Sequence, residues 1–412
     1  RALIGSNHFK VLILFLVGMF SWPIQGGEVQ AQISPEGRDR AYKQAAPHRF
    51  DRRFGEQPSP KSSVIPIKPK SMTPVFPEDL KGVKFVLKKL FIQGTTIYDK
   101  KAFKHLYSNY LEKELTLKDI YEIAQSITNK YRNDGYILSK AIVPPQKINN
   151  GVVHLRIIEG YIDKIKIQGP VRGPRKLINQ YKKKILKSRP LRALDLERYL
   201  LLIDDLPGVA ARSVLTPSED KPSATTMTLI LADKIFEGRI GTDNRGSKFN
   251  GPYEFSGGLT ANSLLGDHTR TGLQGVITSQ TEELLFLNAF YDFPINQEGT
   301  RLFFSGSVSE SEPGSSLKQF NINGDSSTMT LRLTHPFFRS RGKNLTGHLG
   351  FTGRNSTTKI LGSLDSEDRL RVMTMGVSYD FADKNKGVNL IRLNLSQGLN
   401  IFDATESGSS NL

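Results

Sequence analysis

The chain has 412 residues, no cysteine, 36 glycines, 21 prolines and a formal charge of +17, with hydrophobic residues at 38%. That length accommodates two or three domains. The absence of cysteine excludes disulfides and thiolate metal sites, and it suits a chain that crosses an oxidising compartment without needing bridges.

The first residue is Arg1, which points to a fragment at this end, and a basic start with Arg1, His8 and Lys10 runs into the apolar stretch "VLILFLVGMF" at 11–20. The stretch is too short to span a bilayer. Small side chains at Val29 and Ala31 fit a signal-peptidase site, so residues 1–31 are expected to be a signal peptide cleavable before Gln32; the alternative is a buried core helix. The reading implies export. In residues 32–47, "SPEGRDRAYKQAAP" has Ser34 as N-cap, Pro35 at the first helical position and Pro47 as a stop. The helix this implies is polar nearly all round, which fits a water-filled lumen better than a core. Residues 48–82 are proline-rich and read as a linker. A flexible linker of this length spans roughly 30 Å, enough to carry the helix into a membrane-thick pore. A disordered tail remains the alternative for the helix.

Two copies of one small α/β unit follow, at 83–159 and 160–234. In the first, the strand "FVLKKLFIQG" precedes two helical stretches, 98–111 and 116–135. The second stretch carries Leu117, Ile120, Ile123, Ala124, Ile127 and Tyr131 at steps of three and four, with Thr116 as N-cap and Gly135 at its end. Strands are expected in "YILSKAIVPP" and "VVHLRIIEG" around Asn149-Asn150-Gly151. The second copy repeats this order: "YIDKIKIQG", helices over 173–187 and 193–205, then "VAARSVLTPS" and "TTMTLILAD". Such a unit buries one sheet face under two helices.

From residue 235 the apolar period becomes two. In "YEFSGGLTAN", Tyr253, Phe255, Leu259 and Ala261 alternate with Glu254, Ser256, Thr260 and Asn262. About nine strands are expected, near 235–244, 252–262, 267–279, 283–293, 299–311, 328–337, 343–354, 369–382 and 387–399. No segment after the leader has 18 consecutive apolar residues, so a membrane could be crossed only by a closed barrel, although a soluble sandwich would alternate too. Compact turns recur at every second strand, three of them entered through Phe293, Phe337 with Phe338, and Phe381, whereas the other connections are long and polar. Short turns with aromatics at one rim and long loops at the other fit an outer-membrane barrel with its periplasmic side at the short turns. "GTDNRGSKFNG" at 241–251 is glycine-rich, but a phosphate loop would open a helix, and this one opens a strand.

The tandem units, the junction "RIIEGYIDKIKIQG" and the β-rich region behind them resemble the POTRA domains and barrel of the Omp85 superfamily. The count of two units resembles the outer-membrane transporters of two-partner secretion, of haemolysin and filamentous-haemagglutinin type. The resemblance implies an α+β POTRA pair followed by an antiparallel transmembrane β-barrel, incomplete in this chain, with 235–412 its N-terminal part. The family closes about sixteen strands, and the odd count here suggests truncation after Leu412. It also implies that the helix in 32–47 plugs the pore, and that an inward-folding loop with a Val-Arg-Gly-aromatic motif lies outside this chain. "GPVRGPRK" at 169–176 contains Val-Arg-Gly but falls between a strand and a helix, where Gly and Pro serve as turn residues.

The function implied is an outer-membrane pore that takes an unfolded exoprotein through periplasmic POTRA domains to the cell surface without nucleotide hydrolysis; a barrel-assembly factor and a passive porin are the alternatives. The expected partners are a secreted exoprotein client and outer-membrane lipid. The candidate client-binding edge is Tyr136, Ile137, Leu138, Ser139, Lys140, Ala141, Ile142 and Val143, because the second strand of such a unit tends to be left unpaired, although its apolar side chains would equally suit packing on the helices. The basic run "YKKKILKSRPLR" lacks interleaved aromatics, and an exported chain meets little nucleic acid, so no nucleic-acid partner is expected. The run reads as a solvated helix face, or as a patch steering toward acidic lipid headgroups or an acidic client. The histidines lack ligand spacing, and no Gly-x-Ser-x-Gly elbow or Walker sequence occurs, so neither enzyme activity, a cofactor nor a metal is expected.

Overall fold

A computed structural model describes residues 84–406 apart from 171–174, 222, 384 and 386. The signal peptide, plug helix and linker read from 1–82, and Val171, Arg172 and Gly173, lie outside the described residues.

In the first unit the elements run β1 (Lys84–Val86), β2 (Lys89–Gln93), α1 (Lys104–Tyr107), β3 (Glu114–Thr116), α2 (Leu117–Asn133), β4 (Lys140–Ile142) and β5 (Val152–Ile158). Strand β5 is central, parallel to β2 and antiparallel to β4, while β1 pairs with β3. The apolar stripe of α2 behaves as its spacing predicts: Ile120, Ile123, Ile127 and Tyr131 are buried with Val153, Leu155 and Ile157 of β5.

Three local expectations are corrected. "FVLKKLFIQG" is two strands, because Leu87 turns into the core and bonds its N–H to the Lys113 carbonyl and its own carbonyl to the Glu112 N–H. The stretch 98–111 contains one α-helical turn between two 3-10 turns, since the chain must reverse at Glu112 (φ 59°) to bring β3 beside β1. The strand expected over 136–143 contracts to Lys140–Ile142, because the chain is still leaving α2 through turns closed by Tyr136 N–H to the Tyr131 carbonyl and Ser139 N–H to the Tyr136 carbonyl.

The second unit runs β6 (Tyr161–Gln168), α3 (Lys176–Lys187), α4 (Ala193–Asp204), β7 (Val209–Pro217) and β8 (Ala224–Asp233). Strand β8 lies between parallel β6 and antiparallel β7. Ile178, Tyr181 and Ile185 of α3 and Leu202 and Ile203 of α4 close the core over Met227, Leu229 and Leu231.

Nine strands then form one antiparallel sheet in sequence order: β9 (Phe236–Asp243), β10 (Glu254–Asn262), β11 (Arg270–Thr278), β12 (Leu285–Pro294), β13 (Arg301–Ser311), β14 (Asn323–Arg339), β15 (Lys343–Ile360), β16 (Ser363–Ala382) and β17 (Val388–Gly398). Register aligns Arg239, Gly258, Gln274, Asn288, Ser307, Thr328 and Arg354 on one face. The other face carries Leu331, Phe351 and Met373 in one row and Leu259 beside Leu273 in another, with several of these exposed. An exposed apolar face backed by a polar one is what lipid outside and water inside require. No described helix is long and apolar enough to cross a membrane.

Strands β14, β15 and β16 have 17, 18 and 20 residues, against the 9–11 that a tilted strand needs to cross hydrocarbon. Their far ends, 323–327 and 355–368, had the polar composition of loops. They pair nonetheless, because a sheet ladder is made by backbone groups and Ser, Thr and Asp are tolerated on both faces once the strands stand in water. The glycine-rich stretch 241–251 joins β9 to β10, with Asp243 Oδ1 accepting the Arg245 N–H at 2.9 Å and Gly251 at φ 84°. Phe337 and Phe338 are exposed at the short-turn rim, whereas Phe293, which the register through Leu302 and Leu333 puts on the same apolar face, is buried beside Tyr291.

Candidate functional site

Three features of the α/β arm could handle a polypeptide: its strand edges, the elbow between its units and its joint with the sheet. The residues singled out from the sequence, Tyr136–Val143, divide between the first two. Tyr136, Ala141 and Val143 pack against the first core, while Ile137 and Leu138 pack against the second. Ser139 is buried, and its Oγ accepts the Gly160 N–H at 3.3 Å. Only Lys140–Ile142 forms an edge strand, and its Ala141 N–H already donates to Thr128 Oγ1 at 3.0 Å. The stretch thus forms much of the elbow and a short, partly capped edge.

Further bonds close the elbow. Ala193 N–H donates to the Gly135 carbonyl at 2.8 Å, Leu191 N–H donates to the Gly160 carbonyl at 2.9 Å, and the Arg189 guanidinium lies over the Tyr161 ring. A Cβ on Gly160 would fall 2.4 Å from the Leu138 carbonyl oxygen, so only glycine lets the two segments meet. Next to it, the Glu159 carboxylate accepts from Thr96 N–H at 2.9 Å, Tyr131 OH at 2.8 Å, Ile97 N–H at 3.2 Å and Thr96 Oγ1. Burial works against its ionisation, but these donors outweigh it and hold the carboxyl below its ordinary value.

Strand β7 is a longer edge. Its nine residues pair only with β8 among the described residues, and Val214 and Leu215 are exposed. At its start Ala211 N–H donates away from β8, to Asp204 Oδ1 at 2.9 Å, so the same parity turns the Ser213 and Leu215 N–H groups to the open side. Val209, its first residue, adjoins the sheet, lining a cavity of about 100 Å³ with Gly208, Asn262 and His268.

At the joint, α4 is bonded to the short turns of the sheet. Arg339, at the end of β14, donates through Nε and Nη2 to both oxygens of Asp205, at 2.7 and 2.8 Å, and through Nη1 to Asn344 Oδ1 at 2.9 Å. Asn344 continues to Asp380 at 2.7 Å, tying the contact into β15 and β16. Arg198 donates to the carbonyls of Phe337 at 3.1 Å and Pro336 at 3.2 Å; Lys184 on α3 meets Glu298 at 2.9 Å. The Glu298 hydrogen bond holds the Lys184 ammonium above its ordinary value. On the opposite side Lys234 N–H donates to the Gly208 carbonyl at 2.7 Å and Asn262 Nδ2 to the Lys234 carbonyl at 2.9 Å. Phe337 and Asn262 were singled out from the sequence only as strand or turn residues, and Arg339, Asp205, Asn344, Arg198 and Glu298 not at all. Complementary charges in "DDLPG" and "FFRSRG" were the available signal, but nothing in one dimension pairs them. Among the described residues no group of three His, Asp or Glu side chains is placed to hold a metal ion.

Residues 85–160 match the family described as "POTRA domain, ShlB-type", and residues 231–411 match "Haemolysin secretion/activation protein ShlB/FhaC/HecB". The chain belongs to this haemolysin secretion/activation family. Membership places the strands of the large sheet in the outer membrane and the POTRA domain at 85–160 in the periplasm. The Heme/hemopexin transporter protein HuxB of Haemophilus influenzae is 28% identical over 68% of this chain and 50% of its own length. The Outer membrane transporter CdiB of Dickeya dadantii is 24% identical over 73% of this chain and 54% of its own. The chain therefore spans about half the length of the curated relatives it matches. The solved structure of CdiB from Escherichia coli shares the fold, with TM-score 0.64 at 20% identity over 92% of this chain and 70% of that one. The POTRA–barrel transporter fold is thus common to proteins that retain little sequence identity.

Proposed function

We propose that this chain is the periplasmic arm and the first part of the pore of a two-partner secretion transporter, which takes up an unfolded exoprotein and passes it outward without nucleotide hydrolysis. The observation that carries the reading is the joint: an α/β arm with a free strand edge is bonded to the short-turn rim of a sheet whose one face is polar. An extended client segment adding to the arm by main-chain hydrogen bonds is led to the pore mouth, and folding outside supplies the direction. No covalent chemistry is assigned to the chain.

Strands β2 and β6 are also edges of their sheets, but of β4, which the sequence singled out, and β7, which starts at the joint, β7 fits this task better. It offers nine residues against three, and it begins at the joint, so a strand laid along it ends beside β10. Tyr136–Val143 in this reading set the angle between the POTRA units and contribute the short edge Lys140–Ile142. Ser213→Pro with Leu215→Pro removes two outward donors from β7 and leaves the ladder to β8, since proline is tolerated on an edge strand. Secretion of the cognate exoprotein is expected to fall at least tenfold with the transporter still present in the outer membrane. Undiminished secretion would show that β7 is not the docking edge.

A further inference from the structure

Helix α3 carries five lysines and no carboxylate in its twelve residues. Lys184 alone among them is engaged with the sheet, through Glu298. Lys176, Lys183 and Lys187 are exposed and form no ion pair among the described residues. At about 100° per residue these three lie within about 40° of one another, a single stripe along the helix. Lys184 is one residue round from Lys183, so the stripe flanks the contact with the sheet and does not point away from it.

The height of the stripe relative to the membrane follows from the joint. Phe337 and Phe338, each 55% exposed at the short-turn end of β14, occupy the place of the aromatic girdle at the periplasmic interface. Arg198 of α4 donates to the carbonyls of Pro336 and Phe337, so the helical layer is within hydrogen-bond reach of the girdle backbone. Lys184 reaches Glu298 in the neighbouring turn between β12 and β13. Along the helix axis Lys183 and Lys187 are only ~1.5 and ~4.5 Å from Lys184 and Lys176 is ~12 Å from it, so the near end of the stripe is within a Debye length of ~8 Å of the contact with the sheet and Lys176 is its far end.

We propose that Lys176, Lys183 and Lys187 bind anionic phospholipid headgroups of the periplasmic leaflet, so that the second POTRA domain is held by the membrane surface as well as by the barrel turns. Exposed lysines near a negatively charged leaflet are attracted additively, without a shaped pocket. The same stripe on a helix facing open periplasm would have no such neighbour. The proposal rests on the outer-membrane placement of the sheet and not on the secretion reading.

The test uses the absence of cysteine: Asn179→Cys, exposed next to the stripe, gives a single site for a bimane label. The full-length protein is reconstituted in nanodiscs of phosphatidylcholine, or of phosphatidylcholine with phosphatidylglycerol, each containing lipid spin-labelled at the headgroup. Quenching at position 179 is expected to be at least twofold stronger with phosphatidylglycerol. It should return to the phosphatidylcholine value in K176E/K183E/K187E and in high salt, with the milder K176Q/K183Q/K187Q between. A label at Lys118→Cys on α2 serves as the reference. Equal quenching in the two lipids, or quenching indifferent to both triple substitutions, overturns the proposal, whatever the variants do to secretion.

Discussion

Arg339 concentrates more of the joint in one side chain than any other described residue. It is 8% exposed, bidentate to Asp205 and bonded a third time to Asn344. Removing it leaves Asp205 facing a buried acceptor, so Arg339→Ala is expected to destabilise α4 by about 2–3 kcal/mol, less than a fully buried pair because Asp205 keeps partial exposure. Exchange of the α4 amides should accelerate by roughly two orders of magnitude. Arg339→Lys should recover little of this, since an ammonium cannot reproduce the planar fork. Rescue by lysine would show that charge alone matters. Glu159 makes a pH prediction. Its carboxyl is held below the ordinary value by Thr96, Ile97 and Tyr131, so its stabilisation is complete above the unfolded carboxylate pKa, about 4.3, and is lost as pH falls through the lower folded value. Glu159→Gln should therefore lower the urea midpoint of the first POTRA domain at neutral pH and flatten its acid limb. Parallel midpoint curves for the two proteins between neutral and acid pH would remove Glu159 from the account.

At the level of elements, α2 was fully legible because several local signals agree on it. Thr116 and Gly135 mark its ends, the apolar stripe is unbroken, and the Asp119 carboxylate accepts from Thr116 N–H and Oγ1 at 2.7 Å each. Asp119→Ala should cost the domain about 1 kcal/mol in urea unfolding, a modest loss because tertiary packing supplies most of the helix's stability. The stretch 98–111 shows the opposite case. Its apolar residues suit a helix, but the need to return to β1 overrides that preference, and no residue in the stretch announces a strand partner far back in the chain. Tyr136–Val143 was misread in extent for a similar reason: β-rich composition is shared by a strand and by a segment that two cores use as a wedge. The far ends of β14–β16 were missed because apolar alternation signals burial or lipid, and a strand in water needs neither. Gly160 is where elbow and sequence meet. Its Cβ would collide with the Leu138 carbonyl, so Gly160→Ala should open the angle between the two α/β units while each keeps its own core. Small-angle scattering should show a larger radius of gyration with unchanged circular dichroism.

Across the whole molecule, arm and barrel are joined by two kinds of contact that respond differently to salt. Lys184–Glu298 and Arg341–Glu197 are partly exposed ion pairs at 2.9 and 3.9 Å. At 1 M salt the Debye length falls to about 3 Å, so their contribution should largely vanish. Arg339–Asp205 is mostly shielded from water, and Arg198 is bonded to backbone carbonyls, whose partial charges and fixed positions salt does not remove. If the second group positions the arm, the distance between spin labels at Glu219→Cys and Asn385→Cys should stay narrowly distributed at 1 M salt in the otherwise native protein. It should broaden markedly in Arg198→Ala with Arg339→Ala even at low salt. Such a joint would hold β7 in one position against the sheet in any ionic condition of the periplasm, and that constancy is what the proposed edge-guided entry of a client requires. Broadening by salt alone to the extent seen in the double variant would mean that surface charge holds the arm, and the aim of β7 would then vary with the medium.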